Sequence, residues 1–145
     1  WRGFASSLLS EEFLTLARGH LAPGGVVMWN CTSSGRAAKT GMDVFPHTMM
    51  CLNNCIGSME ALVVDKARWR RILSEYRSGG RPLFDPANPQ SAQELDDVVS
   101  LADREGDPPP DDFDGFRWWI VGRERMERLW GDERPITDDN LGHEY

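Results

Sequence analysis

The stretch HLAPGGVVMWNCT, residues 20–32, passes from a helical pattern to a strand pattern within a few residues. Upstream, Ser10 followed by Glu11 and Glu12 reads as an N-cap with acids in the first turn, where they meet the positive end of the helix dipole. Leu9, Phe13, Leu16, Ala17 and Leu21 recur at helical spacing and predict one apolar face. Pro23 ends that helix, and Gly24 or Gly25 is suited to the positive φ of the turn that follows. Val26-Val27-Met28-Trp29 is then too uniformly apolar for a strand with one wet face. It predicts a strand buried on both faces, an inner strand of a helix-covered parallel sheet. Polarity returns at Asn30, Cys31, Thr32, Ser33, Ser34 and Gly35. In open α/β sheets that carboxyl end of a strand is the edge where ligands bind.

The rest of the chain reads outward from there. Residues 36–44 predict a short helix closed by Phe45-Pro46. Residues 48–55 and 57–64 read as two strands separated near Gly57, an order open to an antiparallel pair. Lys66 to Tyr76 predicts a charged amphipathic helix with Trp69, Ile72 and Leu73 inward, followed by the loop SGGRPLFDPANPQS. Ala92 to Arg104 predicts another helix, with Leu95, Val98, Val99 and Ala102 on its face. EGDPPPDDFDG is a polar, proline-rich connection without the apolar residues to pack a core. Phe116 to Trp130 predicts a tryptophan-rich helix before the tail RPITDDNLGHEY. The expected organisation is an α/β part over residues 1–65 and a mostly helical extension over residues 66–145, with a proline-rich loop at 105–115.

Composition excludes several classes. A chain of 145 residues is about one domain long and able to bury roughly two thirds of its unfolded surface. Its formal charge of -7 argues against a broad phosphate-binding surface, so nucleic acid is not an expected partner. Cys31, Cys51 and Cys55 are odd in number and apolar in setting, which suits reduced thiols better than a disulfide framework. No stretch reaches the about 18 apolar residues of a membrane span, and the first residues lack the basic start and apolar run of a signal peptide. The chain opens with Trp1-Arg2-Gly3 and no methionine, which is the expectation for a piece of a longer protein.

Candidate chemistry is sparse. His47, Cys51 and Cys55 fall at intervals of four, but on one strand the outer two would stand roughly 26 Å apart, and on one helix roughly 12 Å. A metal needs its ligands within about 2.0 to 2.3 Å, so no metal site is expected. Gly35, Lys39, Thr40 and Gly41 fail as a phosphate loop because Ala38 stands where glycine must precede the lysine. No Gly-x-Gly-x-x-Gly occurs, and no Ser-His-Asp or Cys-His arrangement is defensible around His20, His47 and His143. Asn30-Cys31-Thr32 matches a glycosylation sequon, but at the end of a strand expected to be buried. Asp138-Asp139-Asn140 beside Thr137 is an acidic element suited either to a solvated turn or to a cation or amine.

The order of helix, Leu-x-Pro-Gly-Gly, apolar strand, polar loop, short helix and strand pair resembles the second half of the S-adenosylmethionine-dependent methyltransferase fold. There the Pro-Gly-Gly turn leads into the fifth strand of a seven-stranded sheet. More specifically, WRGFASSLLSEEFLTLARGHLAPGGVVMWN, KTGMDVFP, VVDKARWRRIL and ITDDN look like the C-terminal part of spermidine synthase-like proteins, especially bacterial forms in which that domain follows a membrane transporter-like region. The likeness runs through most of the chain and is loose over residues 86–130.

That resemblance implies an α/β chain forming the C-terminal half of a Rossmann-like methyltransferase fold, strands 5 to 7 with flanking helices, plus a helical C-terminal extension. It implies an aminopropyltransferase that moves an aminopropyl group from decarboxylated S-adenosylmethionine, the co-substrate of the parent protein, to a diamine. The nucleoside loop, the ribose-binding acid and the catalytic aspartate of the family precede the segment this chain matches. The expectation is therefore a part that binds no cofactor and is inactive alone, whose partners are the N-terminal half of the same protein and, in the whole protein, a polyamine. A homodimer is a further expectation, with a cytoplasmic location, free or as the soluble domain of a membrane-anchored protein. Where characterised spermidine synthases carry a tyrosine after the sixth strand, HTMMCLNNCIGSM offers Asn53 and Asn54, so another acceptor stays open. Residues suited to the pocket wall are Asn30, Thr32, Asn53, Asn54, Asp138 and Asp139. Two alternatives stand beside this reading: a non-catalytic assembly module built on six tryptophans and an exposed sheet edge, and a methyltransferase-like domain with another acceptor.

Overall fold

The computed structural model describes residues 6–31, 34–100 and 120–141. The protein is mixed α/β and divides into two compact units, one built from the chain up to Leu62 together with the chain from Gly106 onward, the other from Val63–Glu105. The sequence boundary at 65 lies near the start of the second unit, whereas residues 120–141 belong to the first.

In the first unit, a 3₁₀ turn at Ser6–Leu9 leads into α1 (Glu11–Gly19). Ser10 caps α1 as its sequence predicts, its hydroxyl accepting from Phe13 N–H at 3.2 Å. The inward residue of α1 is Leu14, fully buried, while Phe13 and Leu16 are exposed. The predicted apolar stripe holds at Leu9 and Leu21, which pack partly buried against the core, and is corrected at Phe13 and Leu16: Leu14, between them in sequence, is the buried residue. Gly24 takes φ +69° in the turn after Pro23, and its N–H donates to Glu60 Oε1 at 2.7 Å. There follow β1 (Val26–Asn30), α2 (Gly35–Val44), β2 (His47–Cys51) and β3 (Asn54–Ser58). Ile120–Gly122 forms β6 and Arg123–Trp130 the last α-helix, after which Asp138–Asn140 makes a 3₁₀ turn.

The four strands order as β1-β3-β2-β6, every neighbouring pair antiparallel. Because β1 and β2 both run against β3, they run parallel to each other, with α2 as the crossover and β3 filling the space between them. The expectation of an inner parallel strand for Val26-Val27-Met28-Trp29 is therefore corrected: β1 is an edge strand, its one described neighbour antiparallel. Val26 is 55% exposed and Met28 65%, whereas Trp29 is buried. The alternation is present but hidden, since the residues on both faces are apolar. The strand pair is also redrawn. Its break is Leu52-Asn53, with Leu52 at a left-handed φ of 57° that few residues with side chains adopt. Gly57 lies inside β3 opposite Phe45, whose Cδ2 would stand 2.5 Å from an added Cβ. A predicted separator is in fact a packing site.

Helices cover one sheet face. Trp29, Met50 and Cys55 meet Leu14, Ala37, Ala38, Met42, Val44, Phe45, Met126 and Ile136 in one buried cluster. Trp29 and Phe45 stack at 5.9 Å between centroids, and Trp29 Nε1–H donates to Ala37 C=O at 3.3 Å. The carboxyl end of α2 is closed by two arginines: Arg18 donates to Val44 C=O at 2.8 Å and Arg123 to Phe45 C=O at 2.6 Å. The predicted helix over 116–130 is shorter. Ile120 and Val121 extend the sheet beside β2, and the helix starts at Arg123; residues 116–119 lie outside the described ones.

The second unit comprises α3 (Lys66–Glu75), the two-residue strands β4 (Arg77–Ser78) and β5 (Arg81–Pro82), and α4 (Pro89–Ser100). Gly79 and Gly80, at φ +56° and +79°, make the hairpin turn inside what reads in sequence as loop. Numbering the helices in chain order, Arg123–Trp130 is α5. Trp69 and Leu73 are partly buried in α3, but Ile72 is 47% exposed, against its predicted inward place. Val99 is buried and Leu95 and Val98 partly so, as the spacing predicts; Ala102 and the proline-rich loop at 105–115 lie outside the described residues. Among the described residues no helix is long and apolar enough to cross a membrane.

Candidate functional site

The polar residues at the carboxyl end of β1 do converge. The β1–β3 register sets Asn30 opposite Asn54, and just past the strand Cys31 N–H donates to Asn53 C=O at 2.8 Å. The carboxamides then join: Asn30 Nδ2 donates to Asn54 Oδ1 at 3.4 Å, and Asn53 Nδ2 to Asn30 Oδ1 at 3.2 Å. Asn30 is exposed, Asn53 and Asn54 half-buried. Three of the predicted pocket residues are thus one cluster, positioned by an antiparallel register and by the tight turn at Leu52-Asn53. Thr32 lies outside the described residues.

Asp138 and Asp139 stand on a different support. Their 3₁₀ turn carries a capping box between Thr137 and Asn140, and the segment before it is held by Arg36 of α2. Arg36 donates to Arg134 C=O at 2.9 Å, to Pro135 C=O at 3.3 Å and to Asn140 Oδ1 at 3.1 Å. Ile136 N–H donates to Thr40 Oγ1 at 2.9 Å, Glu11 N–H to Ile136 C=O at 2.8 Å, and Asp138 N–H to Glu12 Oε2 at 3.0 Å. Both aspartates are exposed. The acidic turn is therefore tied to the N-terminal parts of α1 and α2. It is held by residues other than those that position the asparagines, and no described contact joins the two groups. Sequence reading did not identify Arg36 as its anchor; an arginine in the first turn of a helix gives no signal for a partner about a hundred residues away.

Chemically the asparagine cluster offers neutral donors and acceptors and no base. It suits a polar group or an amine that is recognised rather than deprotonated. Beneath it, Cys31 and Cys55 place their sulfurs 2.7 Å apart, both fully buried. Sharing its proton in the hydrogen bond with Cys31, burial, and the charge of the neighbouring sulfur all push the Cys55 thiol far above the ordinary thiol range. Cys51, half-buried on β2, is also pushed up, by burial. Among the described residues no group of three His, Cys, Asp or Glu is placed to hold a metal ion. A separate cavity of about 290 Å³ in the second unit is lined by Arg70, Ser74, Phe84, Asp85, Leu95 and Asp96 among others, and the 2.6 Å Arg70–Asp96 ion pair sits in its wall. It includes none of the residues predicted from sequence.

Comparison of the chain with protein-family models, with curated proteins and with solved structures finds no match.

Proposed function

We propose that this chain is the C-terminal part of a spermidine synthase-like aminopropyltransferase with a Rossmann-like methyltransferase fold, in which β1 becomes an interior strand once the nucleoside-binding half is in place. The observation that supports this reading is the edge of β1, which no strand among the described residues pairs. Cys31 N–H bonds β3, so by the alternation of an antiparallel ladder Trp29 and Val27 do the same, and Val26 and Met28 turn their backbone groups outward. The same two residues leave their side chains more than half exposed. Natural edges are guarded by charge, proline or a bulge, and Val26–Asn30 has no charged residue and no proline. A strand of that composition fits a position with neighbours on both sides. The helix, Pro-Gly-Gly turn, strand, crossover and antiparallel return also follow the order of the resemblance.

On this reading the reaction is an SN2 displacement. The acceptor nitrogen attacks the methylene carbon next to the sulfonium of decarboxylated S-adenosylmethionine, the carbon–sulfur bond breaks, and sulfur leaves as a neutral thioether. The base that takes the nitrogen's proton and the loop that holds the nucleoside belong to the other half, since this sequence has no Gly-x-Gly-x-x-Gly. Asn30, Asn53 and Asn54 contribute hydrogen bonds to the acceptor side of the pocket, and the acidic turn at Asp138-Asp139 contributes charge toward a cationic amine.

The open edge favours one other reading, a non-catalytic assembly module in which two copies pair through β1. The two readings are separated by the gene and by solution behaviour. Upstream of Trp1, the first predicts a glycine-rich loop followed about twenty residues later by an acid; a start codon directly before Trp1 overturns it. The protein made from the whole reading frame is expected to transfer the aminopropyl group to a diamine, and the 1–145 chain alone to show no micromolar binding of decarboxylated S-adenosylmethionine by calorimetry. Micromolar binding by the short chain would mean that the nucleoside site has been assigned to the wrong half.

A further inference from the structure

Cys31 is the first residue after β1 and Cys55 lies in β3. Trp29 faces Cys55 across the ladder and Cys31 faces Asn53, so the two cysteines are diagonal neighbours on the face covered by helices. Their sulfurs stand 2.7 Å apart, both residues at 0% exposure. A disulfide needs about 2.05 Å, so closing the bond asks for a movement of about 0.6 Å, within the play of two χ angles. Cys51 faces Asn54, the residue before Cys55, and so points to the opposite side of the sheet. The sheet sets two of the three thiols together and holds the third apart.

We propose that Cys31 and Cys55 are a reversible disulfide pair, closed by a hydroperoxide small enough to enter the core, which ties the loop after β1 to β3. One sulfur, as its thiolate, attacks a peroxide oxygen; the O–O bond breaks, hydroxide leaves, and that cysteine becomes a sulfenic acid. The second sulfur attacks the first and expels hydroxide, which leaves as water with the second thiol's proton. In sum two thiols and one hydrogen peroxide give one disulfide and two waters, the two electrons passing from sulfur to oxygen. The bond forms beside the asparagine cluster. Cys31 adjoins Asn30 and Cys55 adjoins Asn54, so the oxidised form pins both strands that present the carboxamides.

The environment sets the pace. The hydrogen bond with Cys31, burial and the neighbouring charge hold Cys55 as the thiol, and with both sulfurs buried the pair reacts slowly, because a peroxide must first reach the core. That separates it from a peroxide-consuming centre, which requires an exposed, low-pKa cysteine. Once closed, the buried bond is equally shielded from bulky reductants.

The test is oxidation of the folded chain with hydrogen peroxide, followed by denaturation, alkylation and mass measurement. The expected product is monomeric, carries one alkylated cysteine instead of three, weighs about 2 Da less than a reduced chain with one alkyl group, and regains those 2 Da with dithiothreitol. Cys51 and Cys55 share a tryptic peptide, so the same experiment is run on Cys51→Ser, whose substitution lies outside the buried cluster. That variant is expected to form the 31–55 link in full, with no alkylatable thiol left. Three results would overturn the proposal: both thiols still alkylated in Cys51→Ser, disulfides only between chains, or a gain of about 32 Da per cysteine from sulfinic acid without any loss of 2 Da.

Discussion

Substituting Gly41 by alanine sets two physical effects of known size against each other. Gly41 lies inside α2, where replacing glycine with alanine ordinarily stabilises a helix by about 1 kcal/mol. Here an added Cβ would fall on the six-membered ring of Trp29, 2.5 Å from Cη2 and nearer still to Cζ2. The ring has little room to yield, since it stacks on Phe45 and its Nε1–H is bonded to Ala37 C=O, both inside the core. Overpacking of this kind costs about 1 to 3 kcal/mol, and a displaced indole hydrogen bond about 1 more. Subtracting the helix gain leaves a net loss of about 1 to 3 kcal/mol, read as a lower urea midpoint by circular dichroism. Gly19→Ala is the control: it sits in α1 with nothing within 4 Å of the new methyl, and is expected to hold or raise stability. In the double variant with Trp29→Phe, whose shorter ring ends before the clash, the two losses should couple favourably by about 1 kcal/mol or more. Gly41→Ala as stable as the parent would refute the close approach of α2 to β1.

Three further outcomes follow from individual contacts. Ser10→Ala removes the cap of α1 and a hydroxyl that also donates to Ser7 C=O at 3.1 Å, and should cost about 1 kcal/mol in a urea titration. Arg36→Ala breaks three hydrogen bonds to residues 134–140, and hydrogen exchange should accelerate at Asn140, whose N–H closes the 3₁₀ turn on Thr137, while β2 and β3 keep their protection. At alkaline pH the raised Cys55 pKa has a definite sign: the native state holds its proton more tightly than the unfolded chain. Its stabilising contribution is whole below about pH 8.5 and declines as pH rises above it, by at most about 1.4 kcal/mol per pH unit. Urea midpoints between pH 8 and 10 should fall, and fall less in Cys55→Ala; a flat profile in the parent would count against the buried thiol pair.

Local signals in this sequence were legible where the physics is local. The Ser10 cap, the Pro23-Gly24 turn, the helix closed by Phe45-Pro46 and the charged helix from Lys66 all depend on residues within one turn of each other. Readings failed where the deciding partner is distant in sequence. Gly57 looks like a strand breaker until Phe45 is seen lying across it, and Leu52 gives no sign that it will take the left-handed turn instead. Leu14 was passed over because Phe13 and Leu16 fit the same periodicity, and only the packing of α1 on α2 chooses among them. Asn30 was legible because polar residues end an apolar strand, and Asn53 and Asn54 entered only through the resemblance; that the three carboxamides join follows from the β1–β3 register. The pairing of Cys31 with Cys55 was not legible, because it follows from the same register.

β1 is where local pattern and observed position disagree most, and the disagreement has a direction. A five-residue strand with no charge and no proline sits at a sheet edge, with Val26 and Met28 more than half exposed. Full burial of such side chains stabilises a protein by about 1.5 to 3 kcal/mol each, so half or more of that is forgone at both positions. Among the described residues the helical layer does not call for this composition, because from Val26–Asn30 it is Val27 and Trp29 that pack against the buried cluster. Threonine or lysine at 26 and 28 would serve an edge strand as well and would guard it against pairing with other chains. Sequences depart from such local rules at the places where a further interaction compensates. The uniformly apolar Val26-Val27-Met28-Trp29 is therefore most economically explained by a second neighbour for β1, and Met28→Lys, exposed enough to leave the fold intact, is the substitution that should abolish that association while the urea midpoint stays where it was.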